Sequence, residues 1–315
     1  MRSRLDSRVV FEHEALLYSG LRGFLDEVVP FVREGLEAGE PTLVAVAGDR
    51  LAALREELWD AEGLWLVDMA EMGRNPARII GRWRDFVAQR GGAGPLRGVG
   101  EPIWAGRTPD ELVECQRHES LINLAFAKAS DFRLICPYDV DALPEDVIAE
   151  ARRSHPVLLE AGLRRTSDGF AAPAERLLLE DDLPAPWAPA APLAFGRGDV
   201  SGLRRLVAAR ATEAGVPADR VADLTLAVSE VATNSVLHGG GGGTLAAWAE
   251  PGAFVCEVRD AGRLDDPLVG RARPDRAQRS GRGMWLVNEV CDLVQVRALA
   301  SGTVVRLHVG VPLGR

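Results

Sequence analysis

Glu230-Val-Ala-Thr-Asn234-Ser-Val-Leu-His238, with the glycine run Gly239 to Gly243, then Asp260-Ala-Gly262 and Gly281-Arg-Gly283, decides how the C-terminal third of this chain folds. Val228, Val231 and Ser235 recur at helical spacing as a buried stripe. Glu230 and Asn234, one turn apart, therefore share a face beside it. Asp260 ends the apolar strand that begins Phe254-Val-Cys-Glu-Val, and Gly281-Arg282-Gly283 opens a further helix. Each piece has a chemical use. The Asn234 carboxamide oxygen is a hard, neutral ligand for Mg²⁺ beside phosphate oxygens. The Glu230 carboxylate can orient a nucleophile or take its proton. An acceptor at a strand end suits the exocyclic amine of a purine, and Gly262 lets backbone approach the ring. Free N–H groups at the helix start, with Arg282 beside them, suit phosphates. In this order the pieces imply a nucleotide site built without a P-loop. His238 has two open readings: a phosphate contact or proton shuttle, or a helix C-terminal cap favoured by the dipole. The run Gly239 to Gly243 either frees backbone near the phosphates or is a slack connector.

Outward from this stretch, Asp199 to Glu213 reads as a helix with Leu203, Leu206 and Val207 inward, and Pro217 opens the next. Hairpins are expected at Pro251-Gly252 and Ser301-Gly302. Helices on one side of a mainly antiparallel sheet make an α+β sandwich. Glu180 to Pro192 is rich in proline and reads as a stiff, extended spacer. Before it, Thr42–Ala47, Leu64–Asp68, Leu96–Gly100 and Phe132–Cys136 read as strands. Phe24, Leu25, Val28, Val29, Val32 and Leu36, then Ile79, Ile80, Trp83, Phe86 and Val87, have the spacing of helices buried on one face. Such alternation implies a mostly parallel sheet covered on both sides. The expected organisation is an α/β domain over residues 8–160, a connecting segment over 161–192 and an α+β domain over 193–312.

The bulk numbers set outer limits. The 315 residues, 47% hydrophobic and 26% charged, favour two soluble globular domains. A net charge of −9 argues against nucleic acid as the partner. The four cysteines stand far apart with no Cys-x-x-Cys, which suits a reducing compartment rather than a disulfide framework. No apolar run reaches the length of a bilayer span and the N-terminus has no signal-peptide core. We therefore expect a cytoplasmic protein without a membrane association. The only lysine is Lys128, in Phe126-Ala-Lys-Ala-Ser, which removes a Walker A lysine, Schiff-base chemistry and a kinase-type strand lysine.

From about Leu193 to Val309 the sequence resembles the ATP-binding fold shared by gyrase, heat-shock chaperones, histidine kinases and MutL, the GHKL or Bergerat fold. Within it the chain is most similar to the anti-sigma-factor serine kinases. The resemblance makes Glu230 and Asn234 the N box, with Glu230 as general base and Asn234 on Mg²⁺. It makes Asp260 and Gly262 the start of the G1 box, with Asp260 reading adenine. Gly281, Arg282, Gly283 and Met284 become the G2 box, closing an ATP lid over Arg263 to Ser280, and Thr303 supports the adenine side. Leu264 stands where the pattern has its second G1 glycine. The resemblance implies ATP and Mg²⁺ as cofactors, phosphorylation of a serine on an anti-anti-sigma (STAS-domain) partner, binding of a sigma factor, and a homodimer. Two alternatives stay open: a non-catalytic, ATP-dependent partner-binding module, or an atypical sensor histidine kinase. For the last, His118 and His155 are the acceptors to weigh, but neither lies in a proper H-box context.

Strand ends of a parallel sheet bind ligands. Here they carry Asp68, Glu101-Pro-Ile-Trp104 and Cys136-Pro-Tyr138-Asp139, to which His13 and Tyr18 are added. Phe11 to Pro156 resembles the MEDS sensory domain, which implies a RecA/KaiC-like sheet lacking the phosphate loop and a sensory role toward an unnamed small molecule. The expected pocket is His13, Tyr18, Glu101, Trp104, Tyr138 and Asp139, set against the reading in which Trp104 and Tyr138 merely fill the core. His13 with Cys136 is half a metal site without spacing partners, and sequence alone gives no more.

Overall fold

The computed structural model describes residues 11–90, 94–128, 131–172, 181–188, 190–274 and 281–312. Residues 8–10, 91–93, 129–130, 173–180 and 189 of the expected domains and spacer, and 275–280 of the expected lid, lie outside the described residues. The chain divides into two compact units, Met1–Arg176 and Leu177–Arg315. Among the described residues, no helix is long and apolar enough to cross a membrane.

The first unit alternates strand and helix: β1 (Glu12–Tyr18), α1 (Gly20–Glu37), β2 (Thr42–Val46), α2 (Gly48–Glu57), β3 (Leu64–Asp68), the short α3 (Met69–Met72), α4 (Ile79–Arg90), β4 (Leu96–Gly100), α5 (Pro109–Ala125), β5 (Phe132–Asp139), α6 (Glu145–Ser154), β6 (Val157–Glu160) and β7 (Leu163–Thr166). The sheet order is β3-β2-β4-β5-β1-β6-β7. Neighbours from β3 to β6 pair in parallel, and only β7 runs antiparallel, as a hairpin on β6. Strands β2 and β5 are apolar along nearly their whole length, as burial on both faces requires. Alternation assigns the faces. Leu16, Tyr18 and Ile135 pack with Phe24, Val28 and Val32 of α1. His13, Ala15 and Cys136 belong to the opposite face. Helix α5 starts on a capping box, in which Thr108 and Glu111 satisfy each other's backbone N–H groups.

The second unit consists of β8 (Leu193–Gly196), α7 (Val200–Glu213), α8 (Ala218–His238), β9 (Gly242–Glu250), β10 (Ala253–Asp260), α9 (Arg282–Val290), β11 (Leu293–Leu299) and β12 (Gly302–Gly310). Its antiparallel sheet has the order β11-β12-β10-β9-β8. Leu224, Val228 and Val231 of α8 pack with Phe254, Cys256 and Val258 of β10 and with Val287 of α9, so the helices cover one face. Burying each such side chain contributes about 1.5–3 kcal/mol. The other face is mixed, with Trp248, Val255 and Val304 buried beside a charged network. Arg306 donates to Glu257 at 2.6 Å, and Arg259 pairs with Glu257 and Asp182. The proline-rich stretch is thus not a free spacer throughout: Asp182 accepts from Arg259 and the Pro184 carbonyl from Arg306. The Arg259–Asp182 ion pair and the Arg306–Pro184 hydrogen bond hold it against that side of the sheet.

Candidate functional site

One cavity of about 250 Å³ in the second unit is lined by Asn234, His238, Asp260, Gly262, Gly281, Gly283, Met284 and Thr303. Each of these was suggested by the sequence for nucleotide contact; Arg282, suggested for the phosphates, is not in the lining. Val231, Leu264, Val269, Val296 and Val305, with Gly239 and Arg263, complete its walls and leave them largely apolar. Leu264, the departure from the G1 pattern, is therefore part of the wall.

Local chemistry holds the polar end in place. Asp260 is the last residue of β10 and stands opposite Thr303 of β12 in the strand register. Its carboxylate accepts the Ser235 hydroxyl at 2.6 Å and the Gly262 N–H at 2.8 Å. The Thr303 hydroxyl donates to the Gly262 carbonyl at 2.9 Å, and the Ala261 N–H to Gly239 at 3.2 Å. A Cβ on Gly262 would sit 2.7 Å from the His238 carbonyl and 2.9 Å from an Asp260 oxygen, so only glycine lets the loop close this tightly. Three of the five glycines after His238 are built into elements: Gly239 caps α8 and receives the Ala261 bond, and Gly242 and Gly243 belong to β9, while Gly240 and Gly241 form the positive-φ bend between them. His238 is the last residue of α8 and exposed at the cavity rim.

The other end of the cavity is the start of α9, with Gly281 as its N-cap. Helix N-termini present unpaired N–H groups and partial positive charge, the environment a phosphate needs. A Cβ added at Gly283 would lie 2.6 Å from Glu230 Oε2, so the Glu230 carboxylate lies directly against the first turn of α9. Glu230 is half-buried, Arg282 is exposed, and neither is part of the cavity wall. The described part of the lid is tied down, because Asn288 Nδ2 donates to the Gly270 carbonyl at 2.9 Å. A largely apolar cavity lined by a fixed carboxylate, a carboxamide and a helix N-terminus fits a purine nucleotide with its cation. Ser235, which orients Asp260, was not singled out from sequence because a buried serine on an apolar helical stripe reads as packing.

In the first unit the expected pocket splits between the two faces of the sheet. Tyr18, Glu101 and Asp139 meet at the carboxyl ends of β1, β4 and β5, joined by Arg50 of α2, which the sequence reading had not included. Arg50 lies 3.0 Å from Glu101 and 3.3 Å from Asp139 and donates to the Tyr18 hydroxyl, which in turn donates to Glu101 at 3.3 Å. Burial pushes Glu101 up to about 7, against the pull of Arg50, the Ala47 N–H and the Tyr18 hydroxyl. His13 and Tyr138 are on the other face. His13 joins Glu119, Cys136 and His155, and the Tyr138 ring stands edge-on to His155 at 5.5 Å. Trp104 belongs to neither group by its observed contact; the Arg107 guanidinium stacks on it at 3.9 Å. Asp68 caps α3 through the Ala70 N–H. His118 and His155 are both buried.

Comparisons with known proteins follow the same division. Residues 12–156 match the family described as MEDS, the methanogen/methylotroph, DcmR sensory domain. Residues 197–309 match the histidine kinase-like ATPase domain. Among solved structures the chain is similar to the RsbU and RsbW domains of Rv1364c from Mycobacterium tuberculosis, at 15% identity and a TM-score of 0.31, over 66% of this chain and 50% of that one. The chain thus spans half the length of that structure. No curated protein matches it. This chain carries a MEDS sensory domain followed by a histidine kinase-like ATPase domain.

Proposed function

We propose that the second domain is an anti-sigma-type protein kinase that binds Mg-ATP in the cavity between α8 and α9 and phosphorylates a serine on a small anti-anti-sigma (STAS-type) partner. The reading also has it sequester a sigma factor and act as a homodimer; these two features rest on the sequence resemblance. The observation that carries the proposal is the convergence of Asn234, Asp260, Gly262, Gly281, Gly283 and Thr303 on one largely apolar cavity. Asp260, fixed by Ser235 and Gly262, accepts from the adenine amine. The start of α9 and Arg282 hold the phosphates. Asn234 holds Mg²⁺, which when bound neutralises phosphate charge. Glu230, held against Gly283, takes the proton of the partner's serine hydroxyl as that oxygen bonds to the γ-phosphorus; the bond from phosphorus to the β-bridging oxygen breaks and ADP leaves. The first domain, read as a RecA/KaiC-like sheet without a phosphate loop, is the sensory part. Its small-molecule signal is assigned to the strand ends around Tyr18, Arg50, Glu101 and Asp139.

The test is transfer of label from γ-labelled ATP to proteins of the source cell's lysate in the presence of Mg²⁺. Acid-stable label on a small separate protein, lost with Asn234→Ala, is the expected result. Acid-labile label on the chain itself would point to histidine chemistry instead. Glu230→Gln should cut transfer by about 10²–10⁴-fold while ATP still binds; a variant with full transfer activity removes Glu230 as the base.

A further inference from the structure

Four side chains from distant parts of the first domain converge in its interior: His13 of β1, Glu119 of α5, Cys136 of β5 and His155, the residue that ends α6. All are buried, and one donor atom from each lies within 4.8 Å of every other. His13 Nε2 is 3.1 Å from Glu119 Oε2 and 3.3 Å from Cys136 Sγ. Cys136 Sγ is 3.5 Å, and His155 Nε2 3.4 Å, from the same Glu119 oxygen. A tetrahedron built with ordinary zinc–nitrogen, zinc–oxygen and zinc–sulfur bonds has ligand–ligand edges of roughly 3.3–3.6 Å. Four of the six separations, 3.1–3.5 Å, are close to those edges, and the other two are within 4.8 Å.

The surrounding hydrogen bonds decide which way each imidazole presents itself. His155 Nδ1 lies 2.9 Å from the Ala151 carbonyl, which can only accept, so Nδ1 carries the proton. His13 Nδ1 lies 3.1 Å from Asn123 Oδ1. The Asn123 amide is itself oriented, because its Nδ2 donates to the carbonyls of Ser154 at 2.8 Å and Glu119 at 3.0 Å. Its oxygen therefore faces His13 and accepts from Nδ1. Both rings are held as Nδ1–H tautomers with Nε2 turned inward, the outer-shell arrangement that prepares histidines for a metal. Among the described residues, His155 Nε2 lies 3.4 Å from Glu119 Oε2 and makes no well-directed hydrogen bond. Two inward nitrogen lone pairs thus face one carboxylate oxygen, an arrangement that a cation satisfies.

We propose that His13, Glu119, Cys136 and His155 form a closed, buried site for a divalent transition-metal ion of the zinc class. Two imidazoles, a carboxylate and a thiol are borderline donors that suit Zn²⁺ or Co²⁺, whereas Mg²⁺ and Ca²⁺ call for oxygen ligands. On binding, the Cys136 S–H proton leaves to solvent and a metal–sulfur bond forms. Thiolate and carboxylate then cancel the 2+ charge, so the buried site is neutral. With all four positions supplied by protein, the ion ties α5 and the end of α6 to the centre of the sheet and is structural in kind.

The full chain, expressed in cells supplied with Zn²⁺ or with Co²⁺ and purified without chelator, tests this by elemental analysis and absorption spectroscopy. The expected result is about one ion per chain, and for Co²⁺ a tetrahedral ligand-field spectrum with a thiolate charge-transfer band. Cys136→Ser should lose that band, and Asn123→Ala, which leaves all four ligands in place, should weaken retention about 10–100-fold in a competition with chelator. A wild-type chain that carries no stoichiometric metal overturns the proposal whatever the variants do. So does a chain whose Co²⁺ spectrum is unchanged by Cys136→Ser.

Discussion

Gly283 and Ser235 carry the residue-scale consequences. A methyl group at Gly283 would meet Glu230 Oε2 at 2.6 Å, so Gly283→Ala must move the carboxylate away from the first turn of α9. We expect transfer to fall at least about 10-fold, a loss typical of a displaced catalytic group, with little change in thermal stability. Initial rates with labelled ATP beside a melting curve check this. Ser235→Ala removes one of the bonds that aim Asp260. Losing about 1 kcal/mol there lowers nucleotide affinity about 5-fold in a calorimetric titration, and unchanged affinity would mean that Gly262 alone sets the carboxylate. These two residues also mark what could be read from sequence. Glu230, Asn234, Asp260 and the paired glycines are legible because each motif is local and its residues sit at the end of a recognisable element. Ser235 is not, since its role depends on a partner that β10 brings to it across 25 positions.

Strands and helices divide the first domain's chemistry by simple alternation. His13 and Tyr18 lie on the same strand but five residues apart, an odd number, and so must face opposite sides of the sheet. Applied to β1 and β5, that rule separates the expected pocket into the groups observed. The same argument does not reach Arg50, Glu119 or His155, whose helices are placed by tertiary packing, which is why the buried His/Glu/Cys cluster shows no spacing signal. Four strands of the parallel sheet and both later hairpins are legible from periodicity and turn residues, whereas β1, between β5 and β6, is not read as a strand from sequence. The β6–β7 hairpin is not legible either, its strands being only four residues each. The Glu101 cluster gives a pH prediction. Facing Tyr18, Arg50 and Asp139, Glu101 titrates near 7 in the folded protein against 4.5 for a free side chain. The native state therefore holds a proton that the unfolded chain has lost, and the contribution to stability, present in full below about 4.5, disappears as pH rises through 7. The span is about 3 kcal/mol. Burial holds His13 down at about 4, which gives the opposite slope over the same window, so the readout is a difference. In unfolding monitored across that window, Glu101→Gln should make stability rise more, or fall less, with pH than in the wild type, and identical slopes contradict the assignment.

Across the whole molecule, two compact units carry separate chemistries: a nucleotide-type cavity in one, and in the other a polar cluster at the strand ends and the buried His13/Glu119/Cys136/His155 cluster on the opposite face. Their residues do not overlap, so substitutions in each should act independently. Cys136→Ser should leave nucleotide affinity unchanged, and Asn234→Ala should leave metal content unchanged, as measured by titration and elemental analysis on the same preparations. The central claim is that the cavity between α8 and α9 holds Mg-ATP. Its most direct measurement is an equilibrium titration of the full chain with ATP, with and without Mg²⁺, for the wild type, Asp260→Asn and Asn234→Ala. The account predicts about one nucleotide per chain, at least 10-fold weaker binding with Asp260→Asn, and loss of the Mg²⁺ dependence with Asn234→Ala. A wild-type chain that binds no ATP, or variants that bind as the wild type does, would contradict it.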